Sequence, residues 1–592
     1  MDAELRPSNA PFRDPLYAPR RLDVVERPGG EFILTNPTPF SEDHQTTTAS
    51  LAHWAIIAPD RLWLAERSGS GWRTLSFAEA WQRITALAAG LRGLGVVSDR
   101  PLLILARNTI DHALIAYAAM SQGMPVAPVS PQYGLPGANL ARLTHACQVL
   151  NPAAVYVEDA SLFSVGLSAD ALAGLPVIAS LNPRAQDVPL ERLYREGSVA
   201  ATATPDQHAK YLLTSGSTGL PKAVICTHYG MSINAAQIEA CFVDPDPPIM
   251  VHSAPWSHSL GGNAILHMAA RRGGTVYIDA GQPTAARFGE TVRNLKEISP
   301  TYQNMVPAAW MLFAEALEVD DQLARTFFER VRLLQYGGAA LGQATADRIQ
   351  AVAVRTIGHR ISFGSGYGAT ETGPTACNVH WPNARMGMIG LPLPGTSVRL
   401  MPTAGKLEFR VKGPQVSPGY LGQPEMSAAA RDEEGFYKVG DAARFVDPEE
   451  PTAGMIFDGR ISENFKLVSG TFVGVGELRL DAIGAIGDAV TDAVVCGEGE
   501  ETVGLLLYPN PTLAYDQVEA AVRTGLAAHN ARAKGSGGKV ARALVLSAPP
   551  DPNTGEITDK GYIAQSLART RYAEDVRRLF AVPAPQDVMV FQ

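Results

Sequence analysis

A short polar segment between two apolar runs constrains this chain more than any other feature. Residues Thr214 to Lys222 contain four hydroxyl side chains, two glycines, one proline and one lysine. Glycines let a backbone approach an anion closely, and hydroxyls, N–H groups and a lysine donate hydrogen bonds and positive charge. The apolar runs 211–213 and 223–226 on either side are each typical of a buried strand. The segment is therefore predicted to join two strands and to wrap the phosphates of a nucleotide.

A Walker A phosphate loop is the main competing interpretation. It requires Gly-x-x-x-x-Gly-Lys-Ser/Thr at the start of a helix, whose N-terminal N–H groups face the phosphates. Here two residues separate Gly219 from Lys222, and Ala223 stands where the magnesium-binding hydroxyl would be. This spacing excludes a Walker A loop. An ordinary Ser/Gly surface turn is the alternative that stays open for the segment taken alone.

The composition describes a folded chain with more than one domain. A length of 592 residues allows several domains, at about 100–200 residues each. The hydrophobic share of 46% supports large cores, and the charged share of 18% excludes a wholly disordered chain. A net charge of −9 without a strongly basic tract argues against nucleic acid as the main partner.

Cysteine usage and hydropathy predict a cytoplasmic location. The five cysteines lack Cys-x-x-Cys spacing, so we expect reduced thiols and neither a disulfide framework nor a zinc site. The first residues lack the apolar core of a secretory signal. No apolar run approaches about 20 residues, so no membrane contact is expected. A homodimer is left open.

Strand and helix patterns alternate from residue 75 onward and predict an α/β fold. Ser76, with Glu79 three residues later, should cap a helix that runs to Gly93. Buried strands are expected near residues 101–106, 125–129, 154–157, 250–254, 274–278, 331–336 and 361–363, which implies parallel sheets covered by helices. Short β-type runs from about residue 390 predict a β-barrel-like subdomain. We place the large N-terminal domain at residues 1–460 and a small α+β C-terminal domain at residues 461–592.

Two further motifs carry groups that suit a nucleotide. In Tyr367-Gly-Ala-Thr-Glu371, the tyrosine offers a ring face for adenine, Thr370 a hydroxyl for the α-phosphate and Glu371 an oxygen ligand for Mg²⁺. In Tyr437-Lys-Val-Gly-Asp441, the aspartate can accept hydrogen bonds from both ribose hydroxyls. A glycine-rich turn before a helix cap and an Asx turn are the structural alternatives.

Together these segments resemble the adenylate-forming superfamily, which includes acyl-CoA synthetases, peptide-synthetase adenylation domains and luciferases. Thr214 to Lys222 matches every defined position of its Thr/Ser-Ser-Gly-Ser/Thr-Thr/Ser-Gly-x-Pro-Lys loop. The resemblance implies a mobile C-terminal domain and the use of ATP, Mg²⁺, coenzyme A and a small-molecule carboxylic acid. It implies nucleotide or coenzyme contacts by Thr214, Ser215, Gly216, Ser217, Thr218, Gly219, Lys222, Gly338, Ala339, Tyr367, Gly368, Asp441, Arg460, Lys466 and Gly470.

The resemblance also implies a hinge and a catalytic lysine. The segment after Arg460 differs from the family's Lys-Asp pair, so Glu463 becomes the expected hinge. Near the C-terminus many relatives carry Pro-Lys-x-x-x-Gly-Lys. Alignment on Gly555 would place Glu556 at the lysine position, whereas alignment on charge places Lys560 there. We expect Lys560, with Thr370 and Glu371, to be catalytic.

The acid is the least constrained partner. The segment from Ser253 to Asn263 lacks the aspartate with which amino-acid-activating domains hold an amino group, and Trp256 and His258 could instead flank an aromatic acid. The string Gly555 to Tyr562 resembles the feruloyl-CoA synthase branch, which implies a hydroxycinnamic acid such as ferulic acid. The alternatives are a fatty-acid or other aryl acyl-CoA ligase, and a non-catalytic nucleotide-binding regulator.

Overall fold

Strands and helices alternate along most of the chain. The computed structural model describes residues 9–194, 197–215, 221–338, 341–403, 405–533, 535–547, 550, 556 and 563–591, with the backbone alone for Ser215, Ser462 and Glu477. The strands are β1 Asp23–Arg27, β2 Glu31–Thr35, β3 Leu62–Ser68, β4 Gly71–Ser76, β5 Leu102–Leu105, β6 Val126–Pro128, β7 Ala154–Asp159, β8 Val177–Leu181, β9 Val188–Pro189, β10 His208–Ser215, β11 Pro221–Thr227, β12 Ile249–His252, β13 Thr275–Ile278, β14 Tyr302–Met305, β15 Leu333–Tyr336, β16 Ser362–Tyr367, β17 Cys377–Asn378, β18 Met388–Pro392, β19 Ser397–Thr403, β20 Lys406–Lys412, β21 Tyr437–Phe445, β22 Met455–Arg460, β23 Phe465–Lys466, β24 Phe472–Val473, β25 Val490–Cys496, β26 Val503–Pro509, β27 Val540–Val545 and β28 Val588–Val590.

The helices cover the sheets. They are α1 Ala49–Ile57, α2 Phe77–Gly93, α3 Ile110–Ser121, α4 Leu140–Leu150, α5 Ser164–Leu167, α6 Leu190–Leu193, α7 His228–Glu239, α8 Leu266–Arg271, α9 Gly289–Glu297, α10 Pro307–Val319, α11 Asp321–Arg330, α12 Gln343–Ile357, α13 Pro424–Ala429, α14 Val475–Ile486, α15 Tyr515–Arg532, α16 Gln565–Arg571 and α17 Ala573–Phe580. Within the described ranges, no helix combines the length and apolarity needed to cross a membrane.

The start of α2 confirms the predicted helix cap. The Ser76 hydroxyl accepts a hydrogen bond from the Glu79 backbone, and the Glu79 carboxylate accepts one from the Ser76 backbone. This reciprocal pairing satisfies N–H groups that have no partner within the helix. The helix then buries Phe77, Ile84 and Leu87 against the strands.

Two sheets of the N-terminal domain are mainly parallel. One has the order β11-β10-β6-β5-β7-β8-β9, and the other the order β12-β13-β3-β4. The whole of β5, Leu102–Leu105, is fully buried, as expected for a parallel strand with helices on both faces. The antiparallel pair β10–β11 at the edge of the first sheet carries the predicted phosphate loop.

A third sheet brings the remaining motifs together. Its order is β1-β2-β19-β20-β21-β22-β18-β17-β16-β15-β14, with β14, β15 and β16 parallel. The segment predicted to be barrel-like forms the antiparallel part of this sheet, from β18 to β22, with β1 and β2 at its edge. This continuity places Tyr367, at the end of β16, near Asp441 in β21.

The C-terminal residues form their own α+β unit. A sheet of order β25-β26-β27-β28 packs against α14, α15, α16 and α17, and a separate hairpin pairs β23 with β24. Its buried side chains form two apolar clusters of their own. Helix α14 also packs against β22 of the N-terminal domain, which brings the two parts together at the candidate site.

Candidate active site

The predicted phosphate loop connects two antiparallel strands. The register of β10 and β11 places Thr214 opposite Lys222 and Ser215 opposite Pro221. This pairing confirms the strand-to-strand prediction and the exclusion of a Walker A loop, because a strand follows where that loop needs a helix. Residues Gly216, Ser217, Thr218 and Gly219, and the side chain of Ser215, lie outside the described part of the chain.

Glu371 lies beside two tyrosines, and one of them, Tyr420, also contacts Lys222. The Tyr420 hydroxyl donates a hydrogen bond of 3.0 Å to Oε1 of Glu371 and lies 2.9 Å from the Tyr437 hydroxyl. Nζ of Lys222 lies 5.6 Å from the centroid of the Tyr420 ring, within range of a cation–π contact. Burial, and then the Glu371 charge, raises the pKa of Tyr420, so its hydroxyl remains a donor to the carboxylate.

Tyr367 and Asp441 form a second polar pair. The Tyr367 hydroxyl donates a hydrogen bond of 2.6 Å to Oδ2 of Asp441, and Nε of Arg460 lies 3.5 Å from Oδ1. Among the described residues, the buried Oδ1 has no hydrogen-bond partner. A carboxylate oxygen held in this way can accept hydrogen bonds from a ligand's hydroxyls.

The turn after β16 requires glycine. A Cβ on Gly368 would lie 2.1 Å from the Pro374 carbonyl oxygen, so no side chain fits. The following 3₁₀ turn, Thr370–Thr372, leads into β17, so the glycine-rich stretch does not open a long helix of the kind that binds dinucleotides. Gly338 has φ +85°, which favours glycine, and Ala339 lies outside the described residues.

Both parts of the chain enclose a cavity of about 220 Å³ beside these groups. The N-terminal domain contributes Tyr336, Gly337, Gly338, Ser365, Gly366, Tyr367, Gly368, Gly387, Met388, Ile389, Asp441, Phe457, Gly459, Arg460 and the junction residue Glu463. The C-terminal unit contributes Val475, Gly476, Arg479, Leu480, Ile563 and Gln565. Burial raises the pKa of Glu463, the predicted hinge.

The predicted coenzyme segment does not reach this cavity. Lys466 and Gly470 are exposed on the hairpin of β23 and β24, and neither is among the described lining residues. The cavity is instead covered by α14 and by Ile563. The C-terminal unit thus faces the cavity with α14 and Ile563 and not with its β23–β24 hairpin.

Glu556 is buried within the C-terminal unit, where its contacts indicate a structural role. Its fully buried carboxylate lies 3.0 Å from Arg571 and accepts a hydrogen bond from the Tyr508 hydroxyl. The described lining of the cavity does not include it. The alignment that puts Glu556 at the catalytic lysine position therefore has no support in its contacts. Lys560 lies outside the described residues.

Trp256 and His258 lie just before a helical stretch that the sequence patterns did not predict. Trp256 is buried, with its ring centroid 5.1 Å from that of His112. Nδ1 of His258 accepts a hydrogen bond of 3.2 Å from the Leu260 backbone. A π-helical stretch, Leu260–Ile265, follows.

That π-helix connects the candidate acid and nucleotide sites. The Thr370 hydroxyl donates a hydrogen bond of 3.1 Å to the Ser259 hydroxyl, and the Leu260 side chain lies beside Gly337. Ser259 and Tyr420 were not identified from the sequence, since contacts with Thr370 and Glu371 across such separations leave no local pattern.

Comparison with known proteins identifies the family of this chain. Residues 51–421 match the model of the AMP-binding enzyme family, and residues 480–583 match that of the AMP-binding enzyme C-terminal domain. The chain is 26% identical over 468 residues to 4-coumarate--CoA ligase of Pinus taeda, covering 73% of this chain and 79% of that protein. It is 26% identical over 473 residues to a salicyl-AMP ligase / salicyl-S-ArCP synthetase of Mycobacterium tuberculosis, covering 74% and 79%.

Solved structures share the fold. ATP-bound MatB from Rhodopseudomonas palustris matches with a TM-score of 0.70 at 18% identity, covering 90% of this chain and 100% of that one. The anthranilate CoA ligase AuaEII in complex with anthranoyl-AMP matches with a TM-score of 0.74 at 15% identity, covering 90% and 98%. The family model matches more than half of this chain. The chain therefore belongs to the AMP-binding enzyme family, which is also called the adenylate-forming superfamily.

Proposed function

We propose that this protein is an ATP-dependent acid–thiol ligase that converts a hydroxycinnamic acid, such as ferulic acid, to its coenzyme A thioester through an acyl-adenylate. One observation carries the proposal: the Tyr367–Asp441 pair, Arg460 and the Gly337–Gly338 turn line one cavity. Thr370, two residues beyond that lining, donates a hydrogen bond to Ser259, which directly follows His258 and precedes the π-helix. Similar ligases that act on 4-coumarate and salicylate favour an aromatic acid.

In the first half-reaction, a carboxylate oxygen of the acid attacks the α-phosphorus of ATP and the bond to pyrophosphate breaks. No proton transfer is needed, so positioning and charge stabilisation dominate. Asp441 and Arg460 would hold the ribose, and Tyr367 would lie against the adenine. The loop from Thr214 to Lys222 would hold the departing pyrophosphate, with Lys560 beside the reacting oxygens.

A magnesium ion fits the donor set. Glu371 provides one carboxylate, with Oε1 fixed by Tyr420, and no cluster of three or more potential ligand side chains occurs in the described ranges. Mg²⁺ commonly uses one or two carboxylates together with substrate phosphates and water, so a single glutamate suffices. When bound, the ion would neutralise phosphate charge, and Glu371 would orient it.

In the second half-reaction, the coenzyme A thiolate, which has released its proton to solvent, attacks the acyl carbon and the bond to AMP breaks. The face of the C-terminal unit that now covers the cavity would turn away about Glu463. The hairpin with Lys466 and Gly470 would then take its place. Rotation of this kind couples assembly of each site to its own step.

Release of AMP and pyrophosphate across a panel of acids tests the proposal. Ferulate, benzoate and palmitate are each assayed with and without coenzyme A, using wild type, Glu371→Gln and the exposed control Glu425→Gln. We expect wild type to turn over ferulate and to form the thioester only when coenzyme A is present. Glu371→Gln should abolish this turnover, and Glu425→Gln should not. Preference for palmitate or benzoate would favour another ligase, and no turnover of any acid would favour the regulator.

A further inference from the structure

A buried lysine lines a small cavity together with Trp256, one of the two candidate acid-binding residues. Lys210 lies on β10, four residues before Thr214, and its side chain points into the protein. Nζ lies 3.0 Å from the Gly262 carbonyl oxygen, 3.0 Å from Oδ1 of Asn263 and 3.4 Å from Nε2 of His267. Each of these partners belongs to the π-helix or to α8, which follows it.

In the described part of the chain, none of the groups that contact the ammonium of Lys210 is a carboxylate. Every partner of Nζ among the described residues is neutral, because burial also lowers the pKa of His267 well below its usual range. Burial lowers the pKa of Lys210 itself to about 8. A buried cation without an anionic partner is costly, and proteins keep one mainly where it has a function.

A small cavity opens next to Lys210. The side chains of His112, Tyr117 and Trp256 line it together with apolar groups from α3, β6 and α8. Its volume of about 10 Å³ suits a single oxygen-sized group and not an aromatic ring. The Tyr117 hydroxyl lies 2.5 Å from Nδ1 of His267, so a hydrogen-bonded chain runs from Lys210 through His267 to Tyr117.

The π-helix links this cavity to the reacting end of the site. Ser259, which accepts from Thr370, precedes the helix, and Asn263, which accepts from Lys210, lies within it. The short segment from Ser259 to Asn263 therefore contacts Thr370 at one end and Lys210 at the other. π-helical turns occur frequently at functional sites.

We propose that Lys210 is a specificity-determining residue that binds the phenolic oxygen of the acid, at the end of the ring remote from the carboxylate. Asn263 and the Gly262 carbonyl accept two of the three ammonium hydrogens, and the third, which lies nearest Nε2 of His267 at 3.4 Å, is the one available to the phenolic oxygen. The apolar lining and Trp256 exclude water around the contact. This inference rests on the proposed function and names the substrate feature that the site selects.

The test compares 4-hydroxycinnamate with unsubstituted cinnamate in wild type, Lys210→Met and Lys210→Gln. A site that hydrogen-bonds a hydroxyl discriminates strongly against an analogue that lacks it. We expect the kcat/KM ratio of the two acids to be about 100 in wild type and to fall at least tenfold in both variants. Lys412→Met, which replaces an exposed lysine, should leave the ratio unchanged.

Two outcomes would show that Lys210 is purely structural. One is an unchanged ratio of kcat/KM for the two acids in both variants. The other is an equal loss of kcat/KM for both acids together with a lower melting temperature. Calorimetric binding of the two acids separates this inference from the proposed function. Wild type that turns over neither acid contradicts the proposed ligase. In that case, loss of preferential 4-hydroxycinnamate binding in Lys210→Met still supports the inference, and equal preference in both proteins overturns it.

Discussion

The Tyr367 hydroxyl donates a 2.6 Å hydrogen bond to Oδ2 of Asp441, 74 residues further along the chain. The bond joins the two motifs that sequence analysis assigned to adenine and to ribose. It leaves Oδ1 facing Arg460, without a hydrogen-bond partner among the described residues. Tyr367 therefore positions the group predicted to bind the sugar, in addition to offering its ring.

Removal of this hydroxyl should weaken nucleotide binding without removing the ring. We expect Tyr367→Phe to raise the KM for ATP about tenfold or somewhat more, since one hydrogen bond to a charged group contributes about 1.5 kcal/mol or somewhat more. Tyr156→Phe is the matched control, because it removes another buried hydroxyl, which pairs with Ser180. Equal ATP dependence in the two variants, measured by pyrophosphate release, would contradict a role for Tyr367.

The C-terminal unit meets the N-terminal domain through two glycines. A Cβ on Gly476 would lie 3.0 Å from Cα of Gly459, which is tighter than ordinary contact. Gly476→Val should therefore displace α14 and slow single-turnover adenylate formation about tenfold, because small misplacements are costly.

Gly484→Ala is the control on the same helix, since a Cβ there has no neighbour within 4 Å among the described atoms. This change should leave the rate unaltered and stabilise the helix by up to about 1 kcal/mol. If the two variants form adenylate at the same rate, the Gly459–Gly476 contact does not assemble the site.

Glu556 should stabilise the fold and take no part in the chemistry. Its buried carboxylate pairs with Arg571 and Tyr508, so Glu556→Ala should lower the free energy of unfolding by about 3 kcal/mol. Glu519→Ala breaks an exposed pair with Arg523 and should cost at most about 0.5 kcal/mol. Denaturant titration measures both. A stable Glu556→Ala protein without adenylation activity would reverse this assignment.

Buried histidines should make the fold sensitive to acid. Burial lowers the pKa of His112, His228, His252 and His380 to about 4. An unfolded histidine titrates near 6.5, so the unfolded chain binds more protons between about pH 6.5 and pH 4, and stability falls as the pH falls through that window. Each histidine should cost about 2 kcal/mol between pH 7 and pH 5.

The His252→Gln variant tests the predicted acid sensitivity for a single histidine. The amide oxygen can replace Nδ1, which accepts from the Ala254 backbone. The loss of unfolding free energy between pH 7 and pH 5 should shrink by about 2 kcal/mol in this variant. The exposed His359→Gln should match wild type, and an unchanged loss in His252→Gln would refute the proposal for that residue.

Sequence by itself determined the features that depend on neighbouring residues. The Ser76–Glu79 capping box and the strand-to-strand connection from Thr214 to Lys222 appear at the predicted positions, and the strand predicted at residues 361–363 appears as Ser362–Tyr367. The geometry of these features is set by residues a few positions apart on one backbone. The sequence pattern is therefore enough to predict them.

The tertiary structure alone decided which distant groups meet. It pairs Tyr420 with Glu371, places Tyr367 on Asp441, buries Glu556 beside Arg571, and encloses Lys210 under an unpredicted π-helix. Glu371 and Tyr420 are 49 residues apart, and Glu556 and Tyr508 are 48 apart. Such contacts arise from how sheets stack and which strand lies beside which. No local pattern of residues encodes that arrangement, because it depends on the packing of the whole chain.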